Sequence, residues 1–253
     1  MAVVEKVRRG FNVHLRIAFE DFDDEVRSFR QSLLEAPNPD STLKLRLVNK
    51  ALVFSVALRM YEEHVRSAVS RHWGKNSEEV RFCGEAFSEV FDQSFAYRVV
   101  HALRNALVHS DAELVTVRFA TYLTDPDAAD SGSASEVVVG LSRDRFAQTD
   151  VRAATRREVS ALDSDPDLLD LSREALLAVE TLDVKLEHVL HPEVDRATAL
   201  LWALAKDHFP DTAQAPVFME VNREVTPVGY LSVPPIIWDY IVRRGAHALA
   251  AQP

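Results

Sequence analysis

The chain has 253 residues, 47% hydrophobic and 27% charged, the make-up of an ordinary soluble globular protein with room for one large domain or two small ones. Its net charge of −10 excludes a broad nucleic-acid coat, its 7 glycines form no phosphate-cradling loop of either common pattern, and its single cysteine, Cys83, excludes an internal disulfide framework and a thiolate-cluster metal site. No stretch approaches the roughly 18 uncharged apolar residues of a membrane span, and "MAVVEKVRRGFN" meets charge too soon to hold a signal-peptide core, so a cytoplasmic protein is expected.

The first half reads as helical. Phe11, Leu15, Ala18, Phe22, Val26, Phe29 and Leu33 recur at steps of three and four, the stripe of one long helix. Glu20, Asp21, Asp23 and Asp24 fall largely off that stripe and form a solvated face. "APNPDS" breaks the helix, and Asp40 or Ser41 can cap a second, which runs to about Trp73 on a stripe of Phe54, Leu58, Tyr61, Val65 and Ala68. Gly74 stops it. Ser77 followed by Glu78 and Glu79 starts a third helix carrying Val80, Cys83, Phe87 and Val90, and Asp92 or Ser94 opens a fourth, "FAYRVVHALRNALVHSD". The pattern then changes. "ELVTVRFATYL" and "EVVVGLS" are rich in β-branched residues and flank the loop-like "TDPDAADSGSAS", so a hairpin is expected. Helical patterns return at about 151–162, 166–190 and 193–209. "PVFMEVN" and "GYLSV" suggest a second short hairpin, and Pro234 and Pro235 suit the first turn of a last helix. The expected organisation is a helical domain over 1–123 and an accessory region over 124–253.

Charge is spread unevenly along this plan. Residues 1–125 hold 17 Lys+Arg against 18 Asp+Glu, and residues 126–253 hold 12 against 21. An anionic ligand is therefore expected at a local cluster in the first half, and the acidic second half suits cover, an interface or a protein partner better than RNA contact.

Arg, four residues, then His occurs three times: "RGFNVH" (Arg9 to His14), "RMYEEH" (Arg59 to His64) and "RNALVH" (Arg104 to His109). With 23 Arg and 9 His in the chain, chance alone supplies about one such pair, so the spacing by itself carries little. "RGFNVH" straddles Gly10 at a helix start. In "RMYEEH", Arg59, Glu62, Glu63 and Arg66 stand at helical spacing and read as surface ion pairs. "RNALVH" is more specific because Asn105 follows the Arg and because of its setting. On a wheel of about 100° per residue, Phe95, Val99, Leu103, Ala106 and Leu107 make an apolar arc, while Arg98, His101, Arg104, Asn105 and His109 fall on the other side. That polar arc is open to two readings, a solvated face or a site. A second histidine cluster, Glu187, His188 and His191 with Glu193 and Asp195 near, fixes no third metal ligand by sequence, and no metal or other cofactor is expected.

"ALRNALVHSD" resembles the signature of the HEPN superfamily: Arg, a polar residue, three small or apolar residues and His, on one helix of an α-helical bundle. The similarity covers residues 5–125, and the order of elements matches it. The resemblance implies a mainly α fold, an HEPN-like bundle with a β-hairpin insertion and a C-terminal α+β extension. It also implies a metal-independent endoribonuclease assembled at a homodimer interface, with Arg104, His109 and Asn105 catalytic and Arg98 and His101 extending the contact with RNA. Such proteins serve in toxin–antitoxin or antiviral systems, which would add an antitoxin or other protein partner. Other members bind nucleotide, RNA or protein without catalysis, and a purely structural protein with a partner-recruiting acidic half is a third reading.

Overall fold

The computed structural model describes residues 12–35, 41–109, 112–123, 133–192, 214–221 and 224–232. The protein is mainly helical. In chain order come α1 (Val13–Glu35), α2 (Ser41–Trp73), α3 (Glu78–Gln93), α4 (Phe95–His109), a 3-10 turn (Ala112–Leu114), β1 (Val115–Leu123), β2 (Ser133–Leu141), α5 (Arg143–Ala147), α6 (Ala153–Ser160), α7 (Leu168–Leu190), β3 (Gln214–Val221) and β4 (Glu224–Ser232). Among the described residues no helix is long and apolar enough to cross a membrane. Arg9, the break around Pro37 and Pro39, and the helices expected over 193–209 and after Pro235 lie outside the described residues.

The helix stripes become the core. Leu15, Ala18, Phe22, Val26 and Phe29 of α1 are buried, as are Phe54, Leu58, Tyr61 and Val65 of α2, and the two helices pack along their length. An edge-on contact of Phe19 with Phe54, 5.9 Å between centroids, helps lock the seam. At its rim Lys50 reaches Asp21 and Arg46 reaches Glu25, each at 2.8 Å. Glu20, Asp21 and Asp24 are exposed as the acidic-face reading requires, but Glu25, one residue on, is buried against α2.

The helix ends follow local chemistry. Gly74 terminates α2 with φ of 91°, a left-handed conformation that favours glycine. The Ser77 hydroxyl accepts from the Val80 amide at 3.2 Å and caps α3. Of the two candidates for the start of α4, Ser94 takes the position: its amide closes α3 on Val90, and its hydroxyl accepts from the Tyr97 amide at 3.1 Å. One residue serves two helices, so Ser94 alone separates α3 from α4.

β1 and β2 pair antiparallel from Val115↔Leu141 to Leu123↔Ser133. The second strand starts earlier than its β-branched run, because Ser133, Ala134 and Ser135 pair with Leu123, Tyr122 and Thr121 whatever their own propensity. α5 was not expected. It is a single short helix capped by Ser142, too brief to show a period, and it buries Phe146 completely. Asp167 opens α7 by accepting from the amides of Leu169 (2.7 Å) and Asp170 (3.1 Å).

The compact units are Met1–Leu186 and Glu187–Pro253. The reason is burial: α7 carries its own stripe of Leu168, Leu171, Ala175, Val179, Leu182 and Leu186, too apolar to stand apart from the bundle. Tyr61 of α2 donates to Asp183 of α7 at 2.6 Å, and Arg16 of α1 pairs with Glu180 at 2.8 Å. The second unit contains the antiparallel β3–β4 hairpin, whose register shifts between Val217 and Phe218 beside Pro227, a residue with no amide hydrogen to donate.

Candidate functional site

α4 packs against α2, α3 and α6, and buries Ala96, Tyr97, Val99, Val100, Leu103 and Ala106. The buried arc adds Ala96, Tyr97 and Val100 to the expected one, because the first turns of α4 are covered on more than one side, while Phe95 and Leu107 are only half-buried. Its exposed residues include Arg104, Asn105 and Val108 near the C-terminal end. The Arg104 guanidinium donates to Asn105 Oδ1 at 3.1 Å, and among the described residues it has no carboxylate partner. His109 closes the helix, and its side chain lies outside the described residues.

The other two members of the polar arc go elsewhere. Arg98 is mostly buried and fully committed. Its Nε and Nη2 grip both oxygens of Glu158 on α6 at 3.0 and 3.2 Å, and its Nη1 donates to the carbonyls of Phe91 (2.7 Å) and Asp92 (2.6 Å) at the end of α3. A cation there suits the negative end of that helix and ties α3, α4 and α6 together. Arg98→Ala is therefore expected to lower unfolding free energy by about 1–3 kcal/mol and to leave any RNA cleavage by the folded protein unchanged. Denaturant titration beside a cleavage assay checks this; lost cleavage with normal stability would restore Arg98 to substrate contact.

His101 turns into a cleft between α2, α3 and α4, of about 380 Å³, whose lining includes Arg59, Glu62, Phe91, Tyr97 and Arg152. His101 Nε2 lies 2.5 Å from Arg59 Nη1 and 3.3 Å from Glu62 Oε2. The ring stacks on Tyr97 (centroids 6.0 Å, 24° between planes) and meets Phe91 edge-on at 5.6 Å. Glu62 also accepts from Arg66 at 2.9 Å. Burial alone would raise the Glu62 carboxyl, but the His101 hydrogen bond and the Arg66 charge hold it below the ordinary carboxylate range. Burial, and then the Glu62 charge, push the Tyr97 hydroxyl well above the ordinary phenol range, so at neutral pH it is a donor. Tyr97 is 1% exposed, and its hydroxyl, close enough to feel Glu62, makes no hydrogen bond of normal geometry.

"RMYEEH" thus divides. Glu62 and Arg66 form the ion pair its spacing suggests, and His64 is exposed, but Arg59 and Glu62 also face His101 on a helix 42 residues away. The sequence signal for this cluster was the polar edge Arg59, Glu62, Arg66 running beside the apolar stripe of α2. It shows a face, not what the face meets. Among the described residues no group of three His, Cys, Asp or Glu is placed to hold a metal ion; Glu193 and Asp195, near His191, lie outside them. Comparison with protein-family models, with curated proteins and with solved structures finds no match.

Proposed function

We propose that the chain is a metal-independent endoribonuclease of HEPN type, working through a composite site where two copies present the C-terminal end of α4 to each other. One observation carries this reading: Arg104 is exposed, held by Asn105, and not neutralised by a carboxylate among the described residues, on the helix that His109 closes. Cleaving RNA without a metal needs a base for the 2′-hydroxyl, an acid for the leaving 5′-oxygen, and positive charge on the phosphorane. Histidine can take either proton role near neutral pH, and a guanidinium fork matches phosphate oxygens. One chain supplies one His109 and one Arg104; a two-fold dimer supplies two of each in one groove. Asn105 fixes the fork of Arg104. Exposed Val108, on the same turn, suits an interface that excludes water. A toxin–antitoxin or defence setting, with an antitoxin as partner, follows from the resemblance.

A second reading has its own support. Arg98 and His101 point to intramolecular partners, so Arg104 is the cation that α4 itself leaves outward among the described residues. That suits a non-catalytic domain which binds RNA, nucleotide or protein. RNA cleavage by the wild type and by His109→Ala, both in EDTA, with sedimentation equilibrium on each, separates the two. The endoribonuclease reading expects a dimer that cleaves in EDTA and a variant that does not. Cleavage surviving in His109→Ala, cleavage that needs a divalent ion, or a monomeric wild type sinks it; an inert wild type that still binds RNA supports the second reading.

A further inference from the structure

The cleft beside His101 is built unlike the exposed end of α4 and stands independently of RNA cleavage. Three guanidinium groups reach it: Arg59 and Arg66 from α2, and Arg152 from the N-terminal cap of α6. Two of them rest on aromatic rings, Arg66 on Phe87 and Arg152 on Phe91, each 4.7 Å from the ring centre. Stacking fixes the plane of a guanidinium while leaving its N–H edge available. Arg152 has no ion pair among the described residues. Against these charges stand the carboxylates of Glu62 and Asp92, so the lining is net cationic in a chain of net charge −10.

Two features show that this lining is not satisfied by itself. The Tyr97 hydroxyl is buried in the cleft wall, near the Glu62 carboxylate but joined to it by no hydrogen bond of normal geometry. A ligand acceptor of better geometry would complete the hydrogen bonding of this hydroxyl. The second feature is His101 Nε2, which faces a donor and an acceptor at once. Taking a hydrogen bond from Arg59 requires a bare nitrogen, while giving one to Glu62 requires a protonated nitrogen. Both cannot hold together. An oxyanion that takes the Arg59 donors would free His101 to donate to Glu62.

We propose that the cleft between α2, α3 and α4 binds a small phosphate monoester carrying hydroxyl or amino groups, with Arg59, Arg66 and Arg152 around the phosphate, Tyr97 donating to it, and Asp92 accepting from the hydroxyl or amino groups. Guanidinium groups from two elements surround a tetrahedral anion with three terminal oxygens better than a planar carboxylate with two. The volume fits a ligand of a few heavy atoms beyond the phosphate, and Phe91 offers the apolar wall that small-molecule sites share.

Calorimetric titration of the full chain with inorganic phosphate tests this, with succinate at matched ionic strength as the carboxylate arm. One saturable site per chain is expected for phosphate, with a rise in Tm as phosphate increases and no comparable binding of succinate. Arg59→Gln and Arg152→Gln should each weaken phosphate binding by about tenfold or more. Arg152 is exposed, so its variant keeps the fold and remains informative if Arg59→Gln does not. Tyr97→Phe should weaken binding severalfold. The proposal fails if phosphate shows no saturable binding, if succinate binds equally well, or if Arg152→Gln binds phosphate as the wild type does. None of these variants touches Arg104, Asn105 or His109, so the outcome is separate from the test of RNA cleavage.

Discussion

Arg104→Ala is expected to slow RNA cleavage by about 100- to 1000-fold while leaving Tm where it was. The two halves of this result have different physical causes. Stability is untouched because Arg104 is exposed and its only described hydrogen bond is to its neighbour Asn105; such surface changes alter unfolding free energy by no more than about 0.5 kcal/mol. Activity falls because the phosphorane carries more negative charge than the substrate phosphate, and a fixed guanidinium rewards that difference. Arg104→Lys should recover only part of the loss, since an ammonium keeps the charge but not the two-pronged geometry. Asn105→Ala should cost about tenfold, the effect of leaving the fork unheld. Single-turnover cleavage of one labelled RNA, with calorimetry on the same samples, gives both numbers. Full activity in Arg104→Ala would remove the phosphate-binding role, and a large fall in Tm would turn it into a structural one.

How far this could be foreseen depends on the distance along the chain. Features set by near neighbours were legible. The α1 and α2 stripes, the stop at Gly74 and the cap at Ser77 all follow from spacings of a few residues. Ser94 was one of two candidates because Asp92 offers the same cap chemistry two positions earlier. The partners of Arg98 and His101 were not legible. Arg98 finds Glu158 60 residues on, and His101 finds Arg59 42 residues back, and no local pattern encodes either meeting. A helical wheel groups residues that share a face, yet neighbouring helices divide that face among them: α6 takes Arg98, α2 takes His101, and Arg104 and Asn105 stay exposed.

The same division makes the strongest stability prediction, one residue from the strongest activity prediction. Leu103→Ala should lower unfolding free energy by about 2–5 kcal/mol, the range for a fully buried leucine whose cavity collapses only in part. Leu103 is 0% exposed on the side of α4 that packs into the bundle, about 100° around the helix from Arg104. For a domain of this size that loss corresponds to a fall in Tm of roughly 4–20 °C, and the urea midpoint should drop with an unchanged slope. The loss is a large part of a typical total of about 5–15 kcal/mol, so the variant needs to be assayed cold. Under conditions where it is folded, its RNA cleavage should match the wild type, because nothing that touches phosphate has changed. Leu103→Ala and Arg104→Ala then form a crossed pair: one loses stability and keeps its chemistry, the other keeps stability and loses chemistry. If folded Leu103→Ala also lost cleavage, the exposed end of α4 would depend on how tightly the helix is seated, and Arg104 would owe its position to the core beneath it rather than to Asn105 alone.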